Sequence, residues 1–186
     1  MKTKDIEVIP AISPHTLRID EIREGDEGLV EASALERAAV ADLLDLRDLS
    51  QLSLNYSLHR LGQGRMGLKG RLTAKLTQTC VVSLEPLPQE LDVPIEVAFW
   101  PPSQIRDMEK AAAEDPVSAG ILDWPEAIVD GKIDLGPVLY DGLATTLDPY
   151  PRAEGVDFAW SDQEGTEMEP PAASGPFAAL ARLKQP

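Results

Sequence analysis

The feature that most constrains the fold is a strict alternation of apolar and polar side chains between residues 66 and 77. The apolar positions are Met66, Leu68, Leu72, Ala74 and Leu76, and the polar positions are Lys69, Arg71, Thr73, Lys75 and Thr77. Because successive side chains of a β-strand point to opposite faces, this period of two predicts a long strand with one buried face and one solvated face.

Two neighbouring segments repeat this alternation and predict the partner strands. Apolar side chains occupy the even positions from 52 to 58, and Gly62-Gln63-Gly64 then supplies the turn of an antiparallel hairpin. A third run has apolar side chains at the odd positions from 91 to 99. Pro94 within it predicts an edge strand or a bulge, because proline has no N–H group to donate to a neighbour. Together the runs predict an antiparallel β-meander or partly open barrel.

Two amphipathic helices are expected to pack on the apolar face of this sheet. Ser33 precedes Glu36 by three residues, which is the spacing of a capping box, and the apolar residues behind it predict a helix from Ala34 to about Asp45. A second helix is expected to start with Asp134 as its N-cap and to stop before Pro149. The predicted fold class is therefore α+β.

Composition divides the chain into a domain and a tail. Residues 1–151 are predicted to form a single α+β domain with an acidic insertion at about 101–125, interpreted as a surface loop with a short helical turn. Within this insertion Trp124 is expected to fill the core rather than to serve as a binding hot spot. Residues 152–175 are acidic and rich in proline and glycine, and we expect a disordered linker.

The last segment, residues 176–186, has a helical pattern of its own. Phe177, Leu180 and Leu183 recur every three residues and would share one face, with Lys184 beside them. Such a face either docks on a partner or folds back on the core, and both alternatives remain open.

Charge restricts the kinds of partner. The chain has 17 basic and 32 acidic residues, a net charge of −15 at pH 7, which favours basic partners over phosphate backbones; solubility alone is the competing explanation. No apolar run is long enough to span a membrane, and residues 1–20 lack the apolar core of a signal peptide. With a single cysteine, we expect a cytoplasmic protein.

Three blocks of the sequence resemble the YceD family of large ribosomal RNA subunit accumulation proteins. The first block is GRLTAKLTQTCVVSLEP at residues 70–86, the second is residues 133–151, and the third is the Pro-Phe-x-x-Leu-x-x-Leu-Lys pattern at residues 176–184. The signature residues of the first block are Gln78, Cys80, Leu84, Glu85 and Pro86. Many members carry a second cysteine three residues after the first, where this chain has Ser83.

The resemblance implies a non-catalytic ribosome-biogenesis factor that supports accumulation of large-subunit ribosomal RNA. Its expected partner is a basic ribosomal protein or the pre-ribosomal large subunit, with ribosomal RNA itself as a further candidate. If relatives bind a metal through the C-x-x-C turn, Ser83 is expected to abolish that site here, because a neutral hydroxyl is a poor zinc ligand.

The residues themselves give little support to catalysis. Cys80 could be paired with His15 or His59 as nucleophile and base, but no third catalytic residue accompanies them. A zinc site would need about four cysteine or histidine ligands at paired spacings. We therefore expect no enzyme activity, no metal, no other cofactor and no small-molecule substrate, and we interpret Cys80 as structural.

An alternative function is direct RNA binding. Lys69, Arg71 and Lys75 fall on the polar face of the predicted signature strand, where they could contact phosphates. The competing interpretation is that they only solvate the open face of a half-buried sheet.

Overall fold

A computed structural model describes residue 12 and residues 15–114 and 124–156. In this part of the chain the strands are β1 Thr16–Arg18, β2 Glu27–Glu31, β3 Asp48–Gly62, β4 Arg65–Thr79, β5 Pro86–Trp100, β6 Glu126–Ala127 and β7 Lys132–Asp134. The helices are α1 Ala34–Leu43, α2 Pro102–Glu114 and α3 Gly136–Thr146. The described strands form one sheet in the order β2-β3-β4-β5-β6 and a separate β1-β7 pair. The predicted α+β class is confirmed.

The three long strands form the antiparallel meander that the alternation predicts. β3 and β4 meet in a turn whose residues Gln63 and Gly64 both have positive φ, 54° and 76°, the conformation of a two-residue hairpin that suits the twist of the strands. In the register Leu54 is opposite Leu72, and Leu72 is opposite Val93. The apolar positions of the three alternating runs therefore fall on the same face.

This apolar face is the core, and helices cover it. α1 packs on β3, and α3 packs across β3, β4 and β5. Leu139 and Leu143 of α3 and Leu54 and Leu72 of the sheet are each 0% exposed. Pro94 lies on the open edge of β5, as predicted, because β6 pairs only with Phe99 and Trp100.

The predicted capping box at the start of α1 is present. The Ser33 hydroxyl accepts from the Glu36 N–H over 3.3 Å, and Glu36 Oε2 accepts from the Ser33 N–H over 2.7 Å. The helix ends at Leu43, two residues before the predicted end, and Asp45 already has a positive φ of 51°.

The role predicted for Asp134 is wrong in its detail. Asp134 belongs to β7, and Leu135 is the N-cap residue of α3. The Asp134 carboxylate still accepts from the Gly136 N–H over 3.0 Å, and it also accepts from the His15 N–H over 2.9 Å. One carboxylate thus joins the start of α3 to the residue that precedes β1.

Two predictions for the acidic insertion are also wrong. Its first half is the three-turn helix α2 rather than a loop, since alanine, glutamate and lysine are strong helix formers even where nothing covers them. No residue of α2, all of which is described, is buried. Trp124 is 47% exposed and does not fill the core.

Some predictions concern residues outside the described part of the chain. Residues 115–123 of the insertion and residues 157–186 of the tail belong to this group. The acidic linker and the segment with Phe177, Leu180, Leu183 and Lys184 therefore remain predictions. Residues 152–156 are described and contain no helix or strand.

Candidate functional site

The signature segment spans the end of β4 and the turn into β5. Near the end of β4, Gln78 is buried, and both the nitrogen and the oxygen of its side-chain amide form hydrogen bonds. Its Nε2 donates to the Asp148 carbonyl over 3.0 Å, and its Oε1 accepts from Gln89 Nε2 over 2.9 Å. Gln78 therefore links β4 to β5 and to the chain that follows α3.

The backbone of Cys80 forms two hydrogen bonds across the turn between β4 and β5. Its N–H donates to the Glu85 carbonyl over 2.9 Å, and its carbonyl accepts from the Leu84 N–H over 3.0 Å. Its side chain is 0% exposed, and the sulfur accepts from the N–H groups of Ser83 and Ala153, each over 3.4 Å. The thiol lies where the signature turn meets the segment after α3.

These donors change the acidity of the thiol. The hydroxyl of Ser83, followed by the backbone N–H groups of Ser83 and Ala153, lowers the pKa of Cys80 from 9.0 to about 6, and this outweighs the opposite effect of burial. The thiolate accepts hydrogen bonds better than the thiol, so the donors stabilise the charged form. The residue in the place of the family's second cysteine thus acts as a hydrogen-bond donor, a role that the sequence interpretation missed.

The remaining signature residues face outward. Leu84, Glu85 and Pro86 are exposed, and Leu84 has a positive φ of 62°. Arg47 holds the turn from outside: its Nε donates to Thr79 Oγ1 over 2.9 Å, and its Nη2 donates to the Leu84 carbonyl over 2.7 Å. The signature therefore has an inner part that ties elements together and an outer part that solvent or a partner can reach.

Neither histidine forms a convincing catalytic pair with Cys80. His59 stacks over Gly67, so closely that a Cβ there would stand 2.3 Å from His59 Nε2. Gly67 precedes Cys80 by thirteen residues along extended β4, which places the two about 40 Å apart. His15 Nε2 instead lies 3.7 Å from Glu36 Oε1 at the start of α1.

Within the described residues, no group of three or more histidine, cysteine, aspartate and glutamate side chains could hold a metal ion. The same part of the chain contains no helix long and apolar enough to cross a membrane.

The three cations proposed for RNA contact do share the outer face of β4, and each one meets an acid of β5. Lys69 Nζ lies 3.3 Å from Glu96 Oε1, and Lys75 Nζ lies 3.0 Å from Glu90 Oε1. Arg71 stands opposite Pro94 and reaches diagonally to Asp92, with 2.5 Å between its Nε and Oδ1. Exposed cross-strand ion pairs of this kind add little stability, but they neutralise the positive charge of the three cations.

The outer face as a whole is acidic. β2 adds two carboxylates to this face. Glu27 is opposite Ser57 of β3, which is opposite Lys69 of β4. Glu31 is opposite Ser53, which is opposite Thr73. Among the described residues of β2, β4 and β5, this face carries five acids and four bases, the fourth base being Arg65 at the start of β4. A phosphate backbone would meet net repulsion there.

One family model matches the chain: the model described as Large ribosomal RNA subunit accumulation protein YceD aligns with residues 68–184, more than half of the sequence. The match begins within β4 and takes in the signature turn, the insertion, α3 and the tail. No curated protein and no solved structure matches at a significant level. The length of the family match shows that this chain belongs to the YceD family of large ribosomal RNA subunit accumulation proteins.

Proposed function

We propose that this protein is a non-catalytic factor that supports accumulation of large-subunit ribosomal RNA in the cytoplasm, by binding a basic ribosomal protein or the pre-ribosomal large subunit. The single observation that carries this proposal is the family match over residues 68–184. The charge of the chain, −15, supports the choice of a basic protein as the partner, because opposite charge speeds encounter and excludes competing anions.

The described structure supports a binding role over a catalytic one. Cys80, the most reactive side-chain type in the signature, is 0% exposed, so a substrate could not reach its sulfur without opening the turn. His59 lies about 40 Å away along the strand. Gln78 and Cys80 instead use their polar atoms to hold β4, β5 and the segment after α3 together.

The test is a pull-down of the tagged protein from cell lysate, with and without ribonuclease, combined with measurement of both ribosomal RNAs in cells that lack the protein. We expect a basic ribosomal protein to stay bound after ribonuclease. We also expect the large-subunit RNA to fall relative to the small-subunit RNA, and to recover when the gene is restored. An unchanged ratio of the two RNAs in the deletion strain would contradict the proposal.

Direct RNA binding through Lys69, Arg71 and Lys75 is the alternative, and the same experiment separates it. Phosphates would have to displace the carboxylates of Glu90, Asp92 and Glu96. If RNA is the direct ligand, ribonuclease should release the bound material. Replacing the three cations by glutamine should then weaken recovery and make it less dependent on salt.

A further inference from the structure

Large apolar side chains lie exposed at the end of the sheet where β4 finishes and β5 begins. Val81 and Leu84 belong to the signature turn, Leu43 ends α1, and Tyr150 follows α3; they are 45%, 67%, 60% and 70% exposed. The Val81 N–H donates to the Pro151 carbonyl over 2.9 Å, which brings the turn against the segment after α3. We call these four residues and the adjoining groove, which Val81 lines, the turn-end patch.

The groove within the turn-end patch has a volume of about 290 Å³. Leu44, Val81 and Leu147 contribute apolar surface to its lining, together with Pro149 and Pro151. This volume is at the lower limit of pockets that take small-molecule ligands, and it suits one or two side chains of a partner.

The charged side chains that line the groove are both acidic, while Arg47, which donates to Thr79 Oγ1 and to the Leu84 carbonyl, lies next to them against the turn. Asp45 and Asp148 line the groove, and no lysine or arginine is among the described residues that do. α1 and α3 both end here, with Leu44 and Leu147 as C-caps, and neither of these fully described helices has a basic residue in its last turn. Their C-terminal carbonyl groups therefore add partial negative charge to that of the two carboxylates.

We infer that the turn-end patch binds a cationic amphipathic segment of a partner protein, which places an apolar side chain in the groove and lysine or arginine opposite Asp45 and Asp148. This inference rests on the proposed function, and it names the surface that receives the basic partner. The apolar contact contributes most of the affinity, because ion pairs with exposed carboxylates are weak. The carboxylates select the sign of the partner's charge and speed its arrival.

The binding test uses the full chain and a labelled helical peptide made of leucine and lysine, followed by fluorescence anisotropy. One comparison peptide has glutamate in place of lysine, and another has serine in place of leucine. We expect the leucine–lysine peptide to bind and both comparison peptides to bind at least about tenfold more weakly, since each lacks one half of the required chemistry.

Two sets of variants separate the apolar and the charged parts. Ala144→Leu fills the groove without changing the charge, and we expect it to weaken peptide binding about tenfold or more. The matched control is Thr145→Leu, at the exposed neighbouring position of α3, and it should bind the peptide normally. Val81→Ser gives a second, milder test of the apolar lining, at an exposed turn position.

Asp45→Asn with Asp148→Asn removes the charge and keeps the shape. Asparagine tolerates the positive φ at position 45 as well as aspartate does, and its side-chain oxygen can still accept from the Tyr150 N–H at position 148. We expect about tenfold weaker binding at low salt, the combined effect of two exposed ion pairs, and convergence with the unmodified protein at high salt.

The outcomes distinguish this inference from the proposed function. The inferred docking surface is contradicted if Ala144→Leu and the double asparagine variant both bind the peptide normally, or if a single-stranded RNA binds at this surface instead of the peptide. It is also wrong if the peptide binds only after Phe177, Leu180 and Leu183 are replaced by serine, since the chain's own segment would then be the occupant. The proposed function is judged separately, by the ratio of ribosomal RNAs in cells that lack the protein.

Discussion

Gly142 of α3 and Leu72 of β4 pack so closely that a Cβ atom at position 142 would stand 3.0 Å from Leu72 Cδ1. The same Cβ atom at position 142 would lie 3.1 Å from Ile95 Cδ1, so the glycine contacts both β4 and β5. The missing side chain sets the distance between helix and sheet, and thereby the position of the α3 C-terminus and the segment that follows it.

A larger residue at position 142 should therefore destabilise the domain. We expect Gly142→Val to lower the free energy of unfolding by about 1–3 kcal/mol through overpacking. Asp141→Val places the same β-branched residue on the exposed side of α3 and should cost less than about 1 kcal/mol. Urea denaturation of both variants measures the difference, and equal losses would show that the close approach is unimportant.

The capping box at α1 gives a second stability prediction. Ser33→Ala removes the acceptor for the Glu36 N–H, and we expect a loss of about 1 kcal/mol in the free energy of unfolding. Ser33→Asp keeps an acceptor at this position and should retain most of the stability. If alanine and aspartate give the same midpoint in urea, the cap does not stabilise this helix.

The acidity of Cys80 can be measured directly, because it is the only cysteine in the chain. A titration of thiolate ultraviolet absorbance should give a midpoint near the lowered pKa of about 6. Ser83→Ala removes the hydroxyl donor, the largest cause of the shift, and should move the midpoint upward. Thr79→Ala, a hydroxyl that bonds to Arg47 and not to the sulfur, is the control.

The same shift predicts how stability depends on pH. The pKa of Cys80 is lower in the folded chain than in the unfolded chain, so the folded state binds the proton more weakly. The stabilisation from the thiolate is complete above the unfolded pKa, near pH 9, and is lost as the pH falls to about 6. The stability difference between the unmodified protein and Cys80→Ala should therefore grow from pH 6 to pH 9, and a constant difference would contradict the assignment.

The parts of the fold that were predictable from sequence are those encoded by neighbouring residues. The alternation around Leu72 identified the strand and its buried face, and the Ser33–Glu36 spacing identified the start of α1, because both depend on backbone geometry over a few residues. The helix α2 is also encoded locally, by its alanine, glutamate and lysine residues, although its many acids favour the prediction of a loop.

The parts that were not predictable depend on contacts between distant residues. The donors to Cys80 include Ala153, which is 73 residues away, and Gln78 bonds to Asp148 across 70 residues. Likewise, the basic row of Lys69, Arg71 and Lys75 looked like a candidate phosphate surface until the register placed acids of β5 beside it. The sequence favours a core position for Trp124, but burial is decided by what packs around a side chain, and Trp124 is 47% exposed.

The last prediction concerns the C-terminal segment, which lies outside the described residues and which we propose as a second docking element. Replacing Phe177, Leu180 and Leu183 by serine should weaken association with pre-ribosomal particles, because these residues form the apolar face of the predicted helix. The matched control replaces Ala178, Ala179 and Ala181 by serine, which changes the neighbouring positions of the same segment. Both variants should keep the melting temperature of the unmodified protein. If instead the first variant melts at a lower temperature and still associates normally, the segment stabilises its own domain and does not dock.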